Sequence, residues 1–145
     1  MVKKISKLFV LGLQEALYDT HGHAALALNR IAGKALLDYL SNEGLLDVDG
    51  GTEAVEDAME KIMESFGEEL EHIHVEDEGD RVVVEIQGCP FSEVTEKLTG
   101  TGKTPVVCPL VSTLVHLIEE ALDTKVRISE MDFEDGTCRF VFEKV

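Results

Sequence analysis

The feature that most constrains the fold is a change of hydrophobic periodicity near residue 67. Before it, apolar residues recur every three or four positions, which is typical of helices. After it come two pairs of short strand-like stretches, each pair flanking an acidic, glycine-containing turn. Segregated helices and hairpins predict an α+β fold with an antiparallel sheet. The 145 residues suit one domain, 1–145, with a helical part at 1–67 and a sheet part at 68–145.

Three helices are expected in the first part. The first runs from Lys4 to Tyr18, and its apolar residues extend beyond one stripe. Such a helix is either deeply buried or packed against a second subunit, as in a homodimer. The second helix ends at Gly44, and its predicted inward face is Leu28, Ile31, Ala32, Ala35, Leu36, Tyr39 and Leu40. The third starts at Thr52, a favourable N-cap.

The second part is expected to hold two hairpins separated by a helical crossover. The predicted strands are 70–76, 81–86, 125–133 and 137–145, and the predicted helices are 91–98 and 109–122.

Charge limits the partners. Acidic residues outnumber basic ones 29 to 13, giving a formal net charge of −16. This charge repels phosphate backbones and anionic membranes, so neither nucleic acid nor a membrane is an expected partner. Apolar runs are far shorter than the ~20 residues of a membrane span. We expect a cytoplasmic protein whose three cysteines are thiols or metal ligands rather than disulfides.

The cysteines are the main candidates for chemistry. Cys89 and Cys108 are each followed by proline, and Cys138 comes just after a turn. Cys108 directly precedes a predicted helix, where backbone amides and the helix dipole stabilise a thiolate. In a compact sheet we expect all three sulfurs to converge at one end. Three thiolates with a histidine or water would suit zinc or another soft metal, although no Cys-x-x-Cys pair is present. Redox thiols and small buried hydrophobes are the alternatives.

Other motifs are less specific. The loop from Gly100 to Thr104 resembles a phosphate-binding loop, but Lys97 stands where that motif needs glycine, so nucleotide binding is not expected. His72 and His74 alternate along one strand and could chelate a metal, or be ordinary surface residues. No serine–histidine–acid arrangement is visible, and we expect no enzymatic activity.

Two segments resemble the 4-vinyl reductase-like domain family, also called hydrocarbon-binding domains, and the related methanogen output domains of archaeal signalling proteins. The first is Gly88-Cys89-Pro90-Phe91. The second comprises Cys108-Pro109-Leu110-Val111, the helix to Leu122, the strand Lys125-Val126-Arg127-Ile128-Ser129-Glu130 and Asp135-Gly136-Thr137-Cys138-Arg139-Phe140-Val141-Phe142. The resemblance covers about residues 70 to 145.

This resemblance implies a fold shared with haem-based nitric-oxide sensors and the palmitate-binding subunits of a Golgi tethering complex. N-terminal helices would pack on a twisted antiparallel sheet around an apolar pocket. It also implies a small hydrophobic ligand, cysteine-dependent redox or metal behaviour, and dimerisation. Asp132-Phe133 stands where many members have a further cysteine, which leaves Cys89, Cys108 and Cys138 as the matching set. Haem is not supported.

The leading hypothesis is a sensor or carrier domain for a small hydrophobic ligand. Leu28, Ile31, Leu114 and Ile118 are expected to line the pocket, with plain core packing as the alternative. A metal or redox module, with zinc on Cys89, Cys108 and Cys138, is the second hypothesis. A structural domain that dimerises through its first helix is the third, and a reductase is the weakest.

Overall fold

The computed structural model describes residues 2–44, 50–65, 68, 70–89, 91–103 and 108–145. The predicted boundary at residue 67, Pro90, the last residue of the predicted loop (Thr104) and the predicted extended stretch 105–107 lie outside them. In chain order the elements are α1 (Val2–His21), a 3-10 helix (Gly22–Ala27), α2 (Leu28–Asn42), α3 (Thr52–Ser65), β1 (His72–Asp77), β2 (Arg81–Gln87), α4 (Ser92–Gly100), α5 (Pro109–Leu122), β3 (Val126–Glu134) and β4 (Thr137–Lys144). The predicted α+β class is confirmed. None of these helices is long and apolar enough to cross a membrane.

The four strands form one antiparallel sheet in the order β1-β2-β4-β3. The two hairpins are therefore joined through β2 and β4 at the centre of the sheet. Val84 is opposite Phe140 and Ile86 is opposite Cys138 in this central pair. All four side chains are buried, because alternate residues of a strand share one face and this face packs against the core.

Helix α5 is the central helix of the core. Eight of its 14 residues are buried, as expected of a helix that is apolar around most of its circumference. It contacts α2, α3 and β3. Pro109 occupies its first turn, where a missing N–H costs nothing, and Asp123 ends it with a left-handed backbone (φ 47°). The predicted bounds 109–122 are confirmed.

Helix α2 packs against the core through a small and a polar residue as well as leucine. Its buried residues are Asn29, Gly33 and Leu40. A Cβ on Gly33 would lie 2.2 Å from the carbonyl oxygen of Ser112, so the two helix backbones approach too closely for any other residue. The predicted inward face is therefore wrong at Ile31 and Tyr39, which are 72% and 51% exposed.

Candidate functional site

The three cysteines meet at one end of the sheet. Cys89 follows β2, Cys108 directly precedes α5, and Cys138 lies at the start of β4. All three are free and buried. They surround a small cavity of about 10 Å³, whose other lining residues are Thr95, Met131, Asp132, Phe133 and Phe140. The topology thus joins three thiols that are distant in sequence, as the sequence analysis expected.

Cys89 and Cys108 are held in their protonated form. The pKa of Cys89 is raised by its hydrogen bond with Cys138 and by burial, against the opposing effect of the Phe91 amide, which donates to its sulfur at 3.4 Å. Burial raises the pKa of Cys108 from 9.0 to about 12, and the nearby Cys89 adds to the rise. The amides of Val111 and Leu110 act in the opposite direction and are outweighed. At Cys108, desolvation therefore exceeds the stabilisation of a thiolate by the helix N-terminus.

A metal role for these thiols stays a prediction. Within the described ranges, no group of three or more His, Cys, Asp or Glu side chains is placed to hold a metal ion. The rings of His72 and His74 stack 6.5 Å apart on the exposed side of β1, and His74 Nδ1 lies 3.5 Å from Glu56 Oε2. Neutral, buried thiols of this kind behave as small hydrophobes.

A second and much larger space opens on the other side of α5. This cleft has a volume of about 430 Å³ and lies between the 3-10 helix, the start of α2, α5 and the start of β3. Its apolar lining residues are Ala24, Leu26, Ala27, Val115, Val126 and Ile128, and its ionisable ones are His23, Arg30 and Arg127.

A hydrogen-bonded network fixes one wall of the cleft. Arg30 of α2 donates to both carboxylate oxygens of Glu119 at 2.7 and 2.6 Å, and to the carbonyl oxygen of Val126 at 2.7 Å. The Val126 amide in turn donates to Glu119 at 3.0 Å. One side chain thereby ties α2, the end of α5 and the start of β3 together.

The network sets the charge state of Glu119. Burial alone would raise the pKa of Glu119, but hydrogen bonds from Arg30 and the Val126 amide, with the charges of Arg30 and Lys125, lower it below its ordinary value. The guanidinium of Arg30 likewise has a raised pKa, chiefly because it donates to Glu119. Glu119 is therefore an ionised carboxylate whose side chain is only 9% exposed, and both of its carboxylate oxygens accept hydrogen bonds within the wall.

Asn29 connects the cleft side of α2 to the cysteine end. Its side chain is fully buried, and its Oδ1 accepts hydrogen bonds from the Cys108 amide and the Ser112 hydroxyl, both at 3.0 Å. Its Nδ2 donates to the Leu26 carbonyl at 3.0 Å. The sequence patterns did not predict the roles of Asn29, Arg30 and Glu119, because their hydrogen-bond partners lie far along the chain. The one available signal was a polar Asn-Arg pair inside an otherwise apolar helical pattern.

The four predicted pocket residues do not surround this cleft. Leu114 and Ile118 are fully buried in the core, Leu28 is half-buried, and Ile31 is 72% exposed. None of them is among the residues that line the cleft. The structure thus separates them into core and surface, instead of bringing them to one chamber.

One family model matches the chain over residues 6–145, and its description is "Putative rubredoxin C-terminal domain". No curated protein matches the chain. The match covers both the helical and the sheet part.

The family description raises the question of a thiolate-bound iron ion. A tetrahedral all-sulfur iron site takes four cysteines, and the chain has three. The residues therefore do not fit a four-cysteine iron site.

The resemblance to the 4-vinyl reductase-like family is wrong, because the model that spans the chain belongs to a different family. The motifs that carried it are ones that local structure requires. Pro109 serves a helix start, and Gly136, with φ of 77°, serves a hairpin turn, so both occur wherever such elements follow one another. From its match at residues 6–145, the chain belongs to the putative rubredoxin C-terminal domain family.

Proposed function

We propose that this domain is a sensor or carrier that binds a small, mainly apolar molecule in the cleft beside the Arg30–Glu119 pair. The single observation that carries the proposal is the cleft itself, about 430 Å³ in volume and lined by six apolar residues out of nine. Small-molecule sites in proteins have volumes of roughly 300–1,000 Å³ and combine an apolar lining with a few polar groups.

The rigidity of the wall supports binding. Arg30, Glu119 and the backbone of Val126 are held by four hydrogen bonds of 2.6 to 3.0 Å, so their positions are set before a ligand arrives. A preformed site avoids the entropic cost of ordering side chains on binding. Removal of the apolar lining from water would drive association by roughly 25 cal/mol per Å².

The ionisable residues of the cleft indicate the head group. His23, Arg30 and Arg127 line it, in a chain whose net charge is −16. Arg127 is 73% exposed and donates to Glu143 through Nε and Nη2. We expect a neutral or anionic head group to be accepted and a cationic one to be rejected.

The proposal is tested with 1-anilinonaphthalene-8-sulfonate, an apolar anionic dye whose fluorescence rises on leaving water. Ala27→Trp places a large side chain in the cleft, and Ala32→Trp places the same side chain on an exposed position of α2 outside it. Saturable binding by wild type, weakened about tenfold by Ala27→Trp and unchanged by Ala32→Trp, is expected. Equal binding by both variants, or no saturation, would refute the proposal.

Octanoate and octylammonium then test the head group by competition with the dye. Octanoate should displace it at lower concentration than octylammonium, because the ionisable side chains of the cleft are basic. Equal displacement would mean that only apolar contact matters.

The meeting of three thiols supports a second candidate, a cysteine-based redox-sensing module in a reducing, cytoplasmic compartment. Oxidation by hydrogen peroxide would join Cys89 to Cys138, the two thiols giving up two hydrogen atoms as peroxide is reduced to water. Intact-mass measurement detects the loss of two hydrogens. The raised pKa values of Cys89 and Cys108 predict a slow reaction. An unmodified mass under conditions that oxidise an exposed thiol would contradict a redox role for these cysteines.

A further inference from the structure

Helix α1 presents an apolar stripe to solvent. Its large members are Ile5, Leu8, Phe9 and Leu13, which are 47–66% exposed. Gly12 and Ala16 are also exposed and lie among them. The spacing of three and four residues places all six on one face of the helix. The opposite face holds Gln14, which is 2% exposed, so the stripe is the outward side of a docked helix.

We infer that this stripe binds a second copy of the chain, with the two α1 helices antiparallel. The stripe is self-complementary about the midpoint between Val10 and Leu11. A two-fold axis at that point sets Phe9 opposite Gly12, Leu8 opposite Leu13 and Ile5 opposite Ala16 of the partner.

The inner pair, Phe9 and Gly12, and the outer pair, Ile5 and Ala16, each combine a large residue with a small one. No atom lies within 4 Å of the position that a Cβ on Gly12 would take, so an incoming Phe9 ring finds open space there. A two-fold interface requires a surface patch that is complementary to itself. This arrangement of large and small residues meets that requirement.

Charge favours the antiparallel direction. Along α1 the basic residues Lys3, Lys4 and Lys7 come before the acidic residues Glu15 and Asp19. In an antiparallel pair the beginning of one helix lies beside the end of the other, which brings opposite charges together. A parallel pair would align like charges instead.

The size of the stripe determines the expected affinity of the dimer. A helix of 20 residues is about 30 Å long and 10 Å wide, which gives an interface at or below the low end of specific protein contacts. The dimer should therefore form in the micromolar range and depend on concentration.

Sedimentation velocity across micromolar concentrations tests the inference. Wild type should move from a 16.0 kDa species toward twice that mass. Phe9→Glu should weaken association by at least about tenfold, whereas Ile31→Glu, which charges an exposed apolar position on α2, should not. A monomer at every concentration, or equal effects of the two variants, would overturn the inference.

Further variants distinguish this geometry from nonspecific hydrophobic association. Gly12→Leu adds apolar surface yet fills the space for Phe9, so it should weaken the dimer, while stronger association would contradict the pairing. Lys4→Glu and Glu15→Lys should each weaken the dimer, and the two together should restore it. Absence of restoration would refute the antiparallel direction. Circular dichroism confirms that each variant is folded.

Discussion

Replacing Arg30 with methionine removes the guanidinium from the wall of the cleft and keeps most of the aliphatic stem. Glu119, which is 9% exposed, then loses its two donors from Arg30, and the Val126 carbonyl loses one. Breaking a fully buried ion pair costs about 3–5 kcal/mol, and an exposed pair contributes about 0–1 kcal/mol. Because Arg30 is 44% exposed, we expect a loss of about 2 kcal/mol in the free energy of unfolding.

Urea and thermal unfolding at neutral pH measure this loss. For a chain of this length, about 2 kcal/mol corresponds to a fall of roughly 4–8 °C in Tm. Arg127→Met is the matched control, since Arg127 and its partner Glu143 are 73% and 44% exposed. It should change the free energy of unfolding by less than about 0.5 kcal/mol.

The pH dependence gives an independent check. The pKa of Glu119 is lowered in the folded state, so its stabilising contribution is present above the unfolded pKa near 4.5 and is lost as pH falls through the folded value. The difference between Arg30→Met and wild type should therefore shrink below pH 4.5. A difference that is absent at pH 7, or that grows in acid, would refute the role given to this pair.

Three other substitutions test the packing around α5. Asn29→Ala leaves the buried Cys108 amide and Ser112 hydroxyl without their acceptor and should cost about 2–5 kcal/mol; urea unfolding measures it, and a loss below 1 kcal/mol would count against it. Gly33→Ala forces a Cβ against the Ser112 carbonyl and should lower Tm. Gly100→Ala, at the end of α4, meets no neighbour and should raise or maintain Tm; equal shifts would be contrary evidence. Because the folded-state pKa of Cys108 is raised from 9.0 to about 12, its contribution to stability is fully present below pH 9 and is lost as pH rises toward about 12. Cys108→Ala should therefore reduce the decrease in the free energy of unfolding at alkaline pH. An unchanged slope of that free energy against pH would contradict this.

Local patterns predicted the elements well. The residues of α5 run from a proline that starts a helix to an acidic turn that stops one, and the predicted bounds agree with the structure. Both hairpins follow from glycine turns between alternating stretches, because that chemistry is contained in a few adjacent residues. The 3-10 helix at Gly22–Ala27 was not predicted, since its alanine-rich sequence fits an ordinary helix equally well.

Packing between distant elements could not be predicted. Periodicity favoured the apolar side of α2, but the helix turns Asn29 and Gly33 inward because Ser112 and the Cys108 amide offer close approach and hydrogen bonds. That choice leaves Ile31 outside and opens the cleft beside Arg30. The meeting of the cysteines was expected from the sequence, whereas the raised pKa values of Cys89 and Cys108 depend on burial that no sequence pattern reveals.

Backbone NMR with an added apolar carboxylate such as octanoate tests the central proposal most directly. Chemical-shift changes should saturate and concentrate in the amides of residues 23–30 and 126–128, where chain segments border the cleft. Changes confined to α1, or spectra that do not change at all, would mean that the cleft is not a binding site.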